Sequence, residues 1–353
     1  MFESVMDGSK HKQVQVMILI CLFLFLRFTP AKDIHPFHIA GYAQGTTYHI
    51  TYFANDSVVS KKMVDSVFAQ MDASLSIYKP QSLINQFNQS KEGMPVDVHF
   101  LNVVRKGLQV YKKTGGAFDM TVLPLTEAWG FGAAKSQRVP DSATIRSLLP
   151  CVGSDKLQLR KKVLIKHNPC VRVDVNGIAQ GYTVDVLAAF LEKKGVRNYL
   201  VEVGGEIRVK GRKQLGGEPF SIGIEAPNIS ELDAAPMQRV IHLERGGLTT
   251  SGNYRNYYLS GNKRITHLFD PKTGFPVQNE LISVTVWAQD AITADAYDNA
   301  LMVLGLEKSF RLLTNTKNLE AYFIYQKKDG TISDTATTGF YKLINNLSEK
   351  RER

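Results

Sequence analysis

Cysteine is scarce in this chain, with three in 353 residues: Cys21, Cys151 and Cys170. So few exclude a disulfide framework as the support of the fold, and the lack of Cys/His clusters at zinc spacing excludes a finger- or ribbon-type metal site. No internal repeat is present. Neither a Walker loop nor a GxGxxG fingerprint occurs, and nothing resembles a Ser-His-Asp series. Hydrophobic residues at 44% and charged residues at 22% lie near the averages of soluble folded proteins, which argues against disorder, collagen-like sequence and a multispan membrane protein. The net charge of +10 would suit nucleic acid, an anionic membrane surface or a phosphorylated ligand. No RNA- or DNA-binding motif accompanies it. Basic residues come mostly in pairs such as Lys112-Lys113, Lys161-Lys162 and Lys193-Lys194, which turns and helix ends place in solvent.

Long apolar runs are missing with one exception, VMILICLFLFL at 16–26. It follows Lys10 and Lys12 and precedes Arg27 and Pro30. About eleven residues is the length of a signal-peptide core, short of the roughly 20 needed to span a bilayer. Residues 1–31 are therefore expected to be a signal or anchor segment that exports the chain. Cys21 sits in mid-run, away from any small-residue cleavage site, and in an exported chain Cys151 and Cys170 can pair.

What remains, 32–345, is long enough for one large domain or two closely interwoven lobes, and no linker divides it. GTTYHITYF (45–53) reads as a strand. Apolar spacing predicts a helix from Ser57 to about Leu75 and another from Leu101 to Lys113, ended by Gly115-Gly116. Between them, SIYKPQSLINQFNQS reads as a polar loop. LQLRKKVLIKH predicts a hairpin turning at its lysines, and NYLVEVGGEIRVKG, PFSIGIEAP and QRVIHLERGG continue a run of strands. NYYLSGNKRITHLFDPKTGFP reads as a further hairpin with a proline-containing turn. A strand LISVTVWA, a helix from Ala291 to Leu304 and a final hairpin turning at KKDG follow. Helices and strands fall in blocks without βαβ alternation, which indicates an α+β fold. SEKRER and its neighbours, 346–353, read as a solvated tail.

Three stretches can carry chemistry. VDVNGIAQGYTVD (173–185) reads as a strand, a glycine-bearing joint and a helix from Tyr182; free N–H groups ahead of the helix suit phosphate, although such a joint is more often structural. In DAITADAYDNALMVLG, Asp295 and Asn299 share a helical face and suit Mg²⁺ beside a phosphorylated substrate. The alternative is a capped helix start with Asp290 and Asp298 solvated. In ITHLFDPKTGFP, His267 is either a general base or a partner of the turn that follows. Tyr78, Trp129 and Phe131 lie in expected loops, free either to stack on a planar ligand or to pack in the core.

In this order, GYAQGTTYHITY, SIYKPQSLINQFN, GGAFDMTVLPLTEAWGFG, VDVNGIAQGYTVD, VEVGGEIRVKG, TTSGNYRNYY, THLFDPKTGFPV and TADAYDNALMVLG resemble the ApbE family, the FAD:protein FMN transferases. The resemblance implies mainly antiparallel sheets with packed helices, two interwoven lobes and an FAD cleft between them. It further implies Mg²⁺ on the FAD pyrophosphate, held by the Ala179 carbonyl, Asp295 and Asn299. The activity implied is transfer of FMN to a Ser or Thr hydroxyl of a target protein, with release of AMP. His267 is then the candidate base, with Asp295 beside it as the second catalytic residue. Tyr78, Asp119, Gln180, Gly204, Gly205, Glu206, Ser251 and Gly252 are the positions implied around the nucleotide. Acceptors would be membrane electron-transport subunits, and the protein would face the periplasm, free or anchored to the inner membrane. FAD hydrolysis to FMN and AMP, and FAD binding without turnover, are the alternatives. The chain departs from the family at Gln180, commonly Lys, at Asn299, commonly Thr, and at Gln44, often Met.

Overall fold

The computed structural model describes residues 34–133, 139–213, 217–225, 237–254, 257–260 and 263–345; the expected leader at 1–31 and tail at 346–353 lie outside them. Two strands open it, β1 (His35–Ala43) and β2 (Thr46–Ala54), paired antiparallel. Gln44 (φ 52°) and Gly45 (φ 78°) both turn left-handed between them, as the tight hairpin turns that match strand twist require. Helices α1 (Lys61–Leu75) and α2 (Leu83–Gln89) lead to β3 (Gly93–Pro95), then to α3 (Val98–Lys113), α4 (Leu123–Ala128) and α5 (Ser142–Leu148). The hairpin of β4 (Leu157–Arg160) and β5 (Val163–Lys166) precedes α6 (Asn176–Lys193). Strands β6 (Asn198–Val203), β7 (Glu206–Lys210), β8 (Phe220–Glu225), β9 (Met237–Leu243), β10 (Arg245–Gly252), β11 (Tyr257–Ser260) and β12 (Lys263–Thr266) follow. Then come β13 (Leu281–Ala288), α7 (Ala291–Leu304), α8 (Leu306–Thr314), β14 (Leu319–Gln326), β15 (Ile332–Ala336) and α9 (Thr338–Asn345).

Eight strands form one sheet in the order β1-β2-β6-β7-β10-β13-β14-β15. All its pairings are antiparallel, as expected of an α+β fold. Alternation along β2 sends Tyr48, Ile50 and Tyr52 to one face, against Val64 and Phe68 of α1 and Leu187 and Leu191 of α6. On the same side α7 packs on β10 and β13, and α6 crosses α7. The β8-β9 hairpin and α9 cover the other face, where Ile222, Ile241 and Phe340 meet Leu248 and Tyr322. The central strands are thus buried on both sides, which fixes the register of anything mounted on their ends.

Leu83–Gln89 is a helix rather than loop, because Ser82 caps it through the Asn85 N–H and Ile84 and Phe87 are buried. The first long helix begins at Lys61, four residues later than the Ser57 expected. The segment at 173–175 pairs with no strand. Asn88 holds it instead, donating to the Val173 carbonyl at 2.9 Å and accepting from the Val173 N–H at 2.7 Å. NGIAQG lies inside α6 rather than ahead of it, with a break of helical geometry at Gly177 (φ −83°, ψ 20°). Trp129 is core: it is 4% exposed, stacks on Phe269 at 6.0 Å and donates to the Gly274 carbonyl at 2.8 Å.

Cys151 and Cys170 form a disulfide across a sequence separation of 19. A crosslink over a loop of that size removes unfolded-state freedom worth about 3 kcal/mol. Cys151→Ser is expected to lower unfolding stability by about that amount, and reductant to do the same to the wild type, as read from urea titrations of both.

Candidate functional site

A cleft of about 720 Å³ opens at the ends of β10, the β1-β2 and β6-β7 turns, and the first turns of α6. One wall is the crossing of α6 and α7, which is close because residue 181 is glycine. A Cβ there would stand 2.5 Å from the Ala291 carbonyl oxygen and 2.7 Å from the Asp295 Cβ. The helices also satisfy each other's termini. Asp185 of α6 accepts the N–H groups of Ala291 (3.0 Å) and Ile292 (2.9 Å), while Asp295 of α7 accepts the Gly181 N–H at 2.8 Å. Asp185 thereby caps the neighbouring helix, and Asp290 caps it from its own chain end through the Thr293 N–H.

Asp295 and Asp298 are 4% and 2% exposed. Among the described residues neither joins an ion pair. Burial pushes the Asp295 carboxyl up to about 7. It also drives Asp298 well above the usual carboxylate range, with the Asp295 charge adding to it. The alternative reading with Asp298 solvated fails because the i, i+3 step from Asp295 keeps it on the face that meets the sheet. That spacing was the available signal. Asn299 donates its Nδ2 to the Asp295 carbonyl at 3.0 Å and to Asp298 Oδ1 at 2.9 Å. The Ala179 carbonyl accepts from Thr183 Oγ1 at 2.7 Å and borders the same cleft.

Eleven of the anticipated residues line this cleft: Tyr78, Asp119, Ala179, Gln180, Gly204, Glu206, Ser251, Gly252, His267, Asp295 and Asn299. Gly205 does not. With Gly204 (φ 63°) and Gly205 (φ 108°) both left-handed, the β6-β7 turn exposes Gly205 to solvent, where it donates its N–H to Glu202 Oε1 at 2.7 Å. Gly204 faces inward instead, and a Cβ on it would meet Thr46 Cγ2 at 2.8 Å and Gln180 Nε2 at 3.1 Å.

The Asp119 carboxylate is fully engaged by the protein. It accepts Thr121 N–H (2.8 Å), Thr121 Oγ1 (2.7 Å), Ser154 Oγ (2.6 Å) and Ser154 N–H (3.1 Å). Its function in this structure is to fix the loop that borders the cleft. Tyr78 stands at the rim, 59% exposed, and accepts from Asn176 Nδ2 at 3.2 Å. Asn176 and the buried Asp174, whose carboxylate receives the Asn176 N–H at 2.9 Å, complete the joint. Burial pushes Asp174 up to about 6. His267 follows β12 directly, with the Phe131 ring 6.3 Å away. The turn after it is closed by its own backbone, Gly274 N–H to the Asp270 carbonyl at 2.8 Å and Asp270 N–H to the Phe275 carbonyl at 3.0 Å.

The donor set fits a hard divalent cation. Among the described residues no three His, Cys, Asp or Glu side chains form a metal cluster by themselves. Mg²⁺ needs no such cluster, since it takes one or two carboxylates and completes its shell with phosphate and water. A buried acid, Asp295, with no countercharge among the described residues, beside a carbonyl and an amide, makes a site whose electrostatics a cation would relieve.

Comparison with known proteins identifies the family of the fold. The ApbE family matches residues 44–323. A FAD:protein FMN transferase of Haemophilus influenzae is 35% identical over 88% of this chain and 92% of its own length. One of Vibrio cholerae is 34% identical over 85% and 90%. Among solved structures, the flavin transferase ApbE of Vibrio cholerae superposes with a TM-score of 0.79 at 32% identity, covering 88% of this chain and 100% of that one. The apo flavinyl transferase ApbE of Pseudomonas stutzeri gives 0.79 at 32%, covering 88% and 97%. From the eight-stranded sheet to the pair of crossed helices with their buried acids, this chain belongs to the ApbE family.

Proposed function

We propose that the protein is a Mg²⁺-dependent FAD:protein FMN transferase. The observation that carries this reading is the buried Asp295 carboxyl, with no ionic partner among the described residues, set beside the Asn299 side chain and the α6 joint on one wall of a cleft of flavin-nucleotide size. Ala179, Asp295 and Asn299 hold the cation, which supplies charge neutralisation on the pyrophosphate. His267 takes the proton of an acceptor Ser or Thr hydroxyl, whose oxygen attacks the FMN phosphorus. The bond from that phosphorus to the bridging oxygen breaks, and AMP leaves. Tyr78 and Phe131 border the cleft with aromatic surface on which the flavin or adenine ring can stack.

Water in place of the hydroxyl gives FAD hydrolysis at the same site. Incubating the protein with FAD, Mg²⁺ and a Ser/Thr-containing acceptor domain distinguishes the two. An acceptor heavier by one FMN, absent with EDTA, supports transfer; AMP and free FMN without modified acceptor would move the reading to hydrolysis. The apolar run at 16–26 and the Cys151–Cys170 disulfide support an exported protein, since disulfides persist in oxidising compartments. Acceptors on the periplasmic side of membrane electron transport fit that location.

Gln180 is the position of interest for affinity. Its amide makes no hydrogen bond among the described residues and carries no charge. Gln180→Lys is expected to tighten FAD binding roughly tenfold at low salt, with the gain shrinking at high salt, because the new charge lies beside the phosphates. Flavin fluorescence titrations at two ionic strengths would measure it.

A further inference from the structure

One buried acid of the cleft has no role in the reaction as described. Asp298 is 2% exposed, lines the cleft beside Asp295 and joins no ion pair among the described residues. Such a group is costly to bury unless it is used. Its carboxylate meets the amide of Asn299, accepting from Nδ2 at 2.9 Å. The same amide nitrogen also donates to the Asp295 carbonyl at 3.0 Å and approaches the Gly177 carbonyl at 3.4 Å. The amide nitrogen is thus surrounded by acceptors. Asn299 Oδ1 accepts nothing among the described residues, while Nδ2 also approaches Asp295 Oδ1 at 3.5 Å, and the residue borders the cleft. Turned over, the amide would set its oxygen against two carbonyl oxygens with no proton between them, and against Asp298 whenever that carboxyl is ionised.

We propose that Asp298 is a positioning residue that locks the Asn299 amide with its oxygen presented to the divalent cation. The proposal rests on the cation site of the preceding subsection and extends it to a side chain that need not touch the metal. Orientation of ligands by hydrogen-bonded partners behind them is general in metal sites, and loss of such a partner weakens metal binding by about 10- to 100-fold. It also gives a reason for asparagine at 299: a side chain with both a donor and an acceptor can be held from behind and still offer an oxygen in front.

The test is Mn²⁺ binding to the purified chain, measured by electron paramagnetic resonance with no flavin present. Asp298→Ala is expected to bind about 10- to 100-fold more weakly. Asp298→Asn keeps an acceptor oxygen for the amide and is expected to stay within about threefold of wild type. In turnover assays, raised Mg²⁺ should restore most of the Asp298→Ala rate, a deficit in cation affinity rather than in the step itself. Wild-type affinity in Asp298→Ala would overturn the proposal. Equal weakness of Asp298→Asn and Asp298→Ala would overturn it too, since charge rather than orientation would then be what the cation needs. Asp295→Asn serves as the control for the site: if that variant bound Mn²⁺ normally, the cation site itself would fall and the proposal with it.

Discussion

Asp295→Asn is expected to lower Mg²⁺-dependent AMP release by at least about a thousandfold while the protein still folds. The change keeps size and shape, and the amide oxygen can still accept the Gly181 N–H that holds α6 against α7. What it removes is a negative charge in a buried place where charge counts most. Phosphoryl transfer depends on positioning and on electrostatic neutralisation more than on covalent help, so a lost metal ligand reaches the transition state directly. Steady-state kinetics across a Mg²⁺ series, with thermal unfolding as the folding control, would measure the effect. A variant within tenfold of wild type at every Mg²⁺ concentration would remove Asp295 from the site.

The second large effect belongs to His267. His267→Ala is expected to lower FMN transfer to the acceptor by about 10²- to 10⁴-fold, the range for loss of a general base, with FAD affinity changed less than about threefold. The side chain borders the cleft at the end of β12, and the turn behind it is closed by backbone bonds that the substitution leaves in place. Flavin fluorescence titration would report the affinity, and mass spectrometry of the acceptor the rate. Because an alkaline medium ionises more of an acceptor hydroxyl unaided, the deficit should narrow as pH rises.

Most of the fold was legible wherever local pattern and tertiary need agree. The α7 helix was visible from its apolar and alanine spacing, and the β4-β5, β6-β7 and β14-β15 hairpins from their turn residues. The α2 helix was not, because its seven residues include four amides and only two buried apolar side chains, too few to set a period. Its signal was the Ser82 cap. The start of α6 was misplaced for a related reason: Asn176 and Gly177 are poor helix formers, and the helix holds them because Asp174, Tyr78 and Asn299 surround them.

Site residues followed the same division. Asp295, Asn299 and His267 stood out as polar residues in an apolar or turn context, and all three line the cleft. Asp298 was missed because acids default to solvent, and only the packing of α7 on β10 and β13 withdraws it from water. Gly204 and Gly205 were read as a pair because a Gly-Gly turn needs both for its backbone, yet only Gly204 lines the cleft.

The crossing of α6 and α7 also sets the order in which the molecule becomes competent. Gly181 and Asp295 are 114 residues apart in sequence, so the wall of the cleft is closed by partners made far apart in time as the chain emerges. Until 291–304 has docked, α6 carries an uncovered glycine face and no acid opposite it. Contacts of such long range form late in folding. A chain in which 291–304 has not yet docked would therefore lack one wall of the cleft, however well its earlier elements had formed.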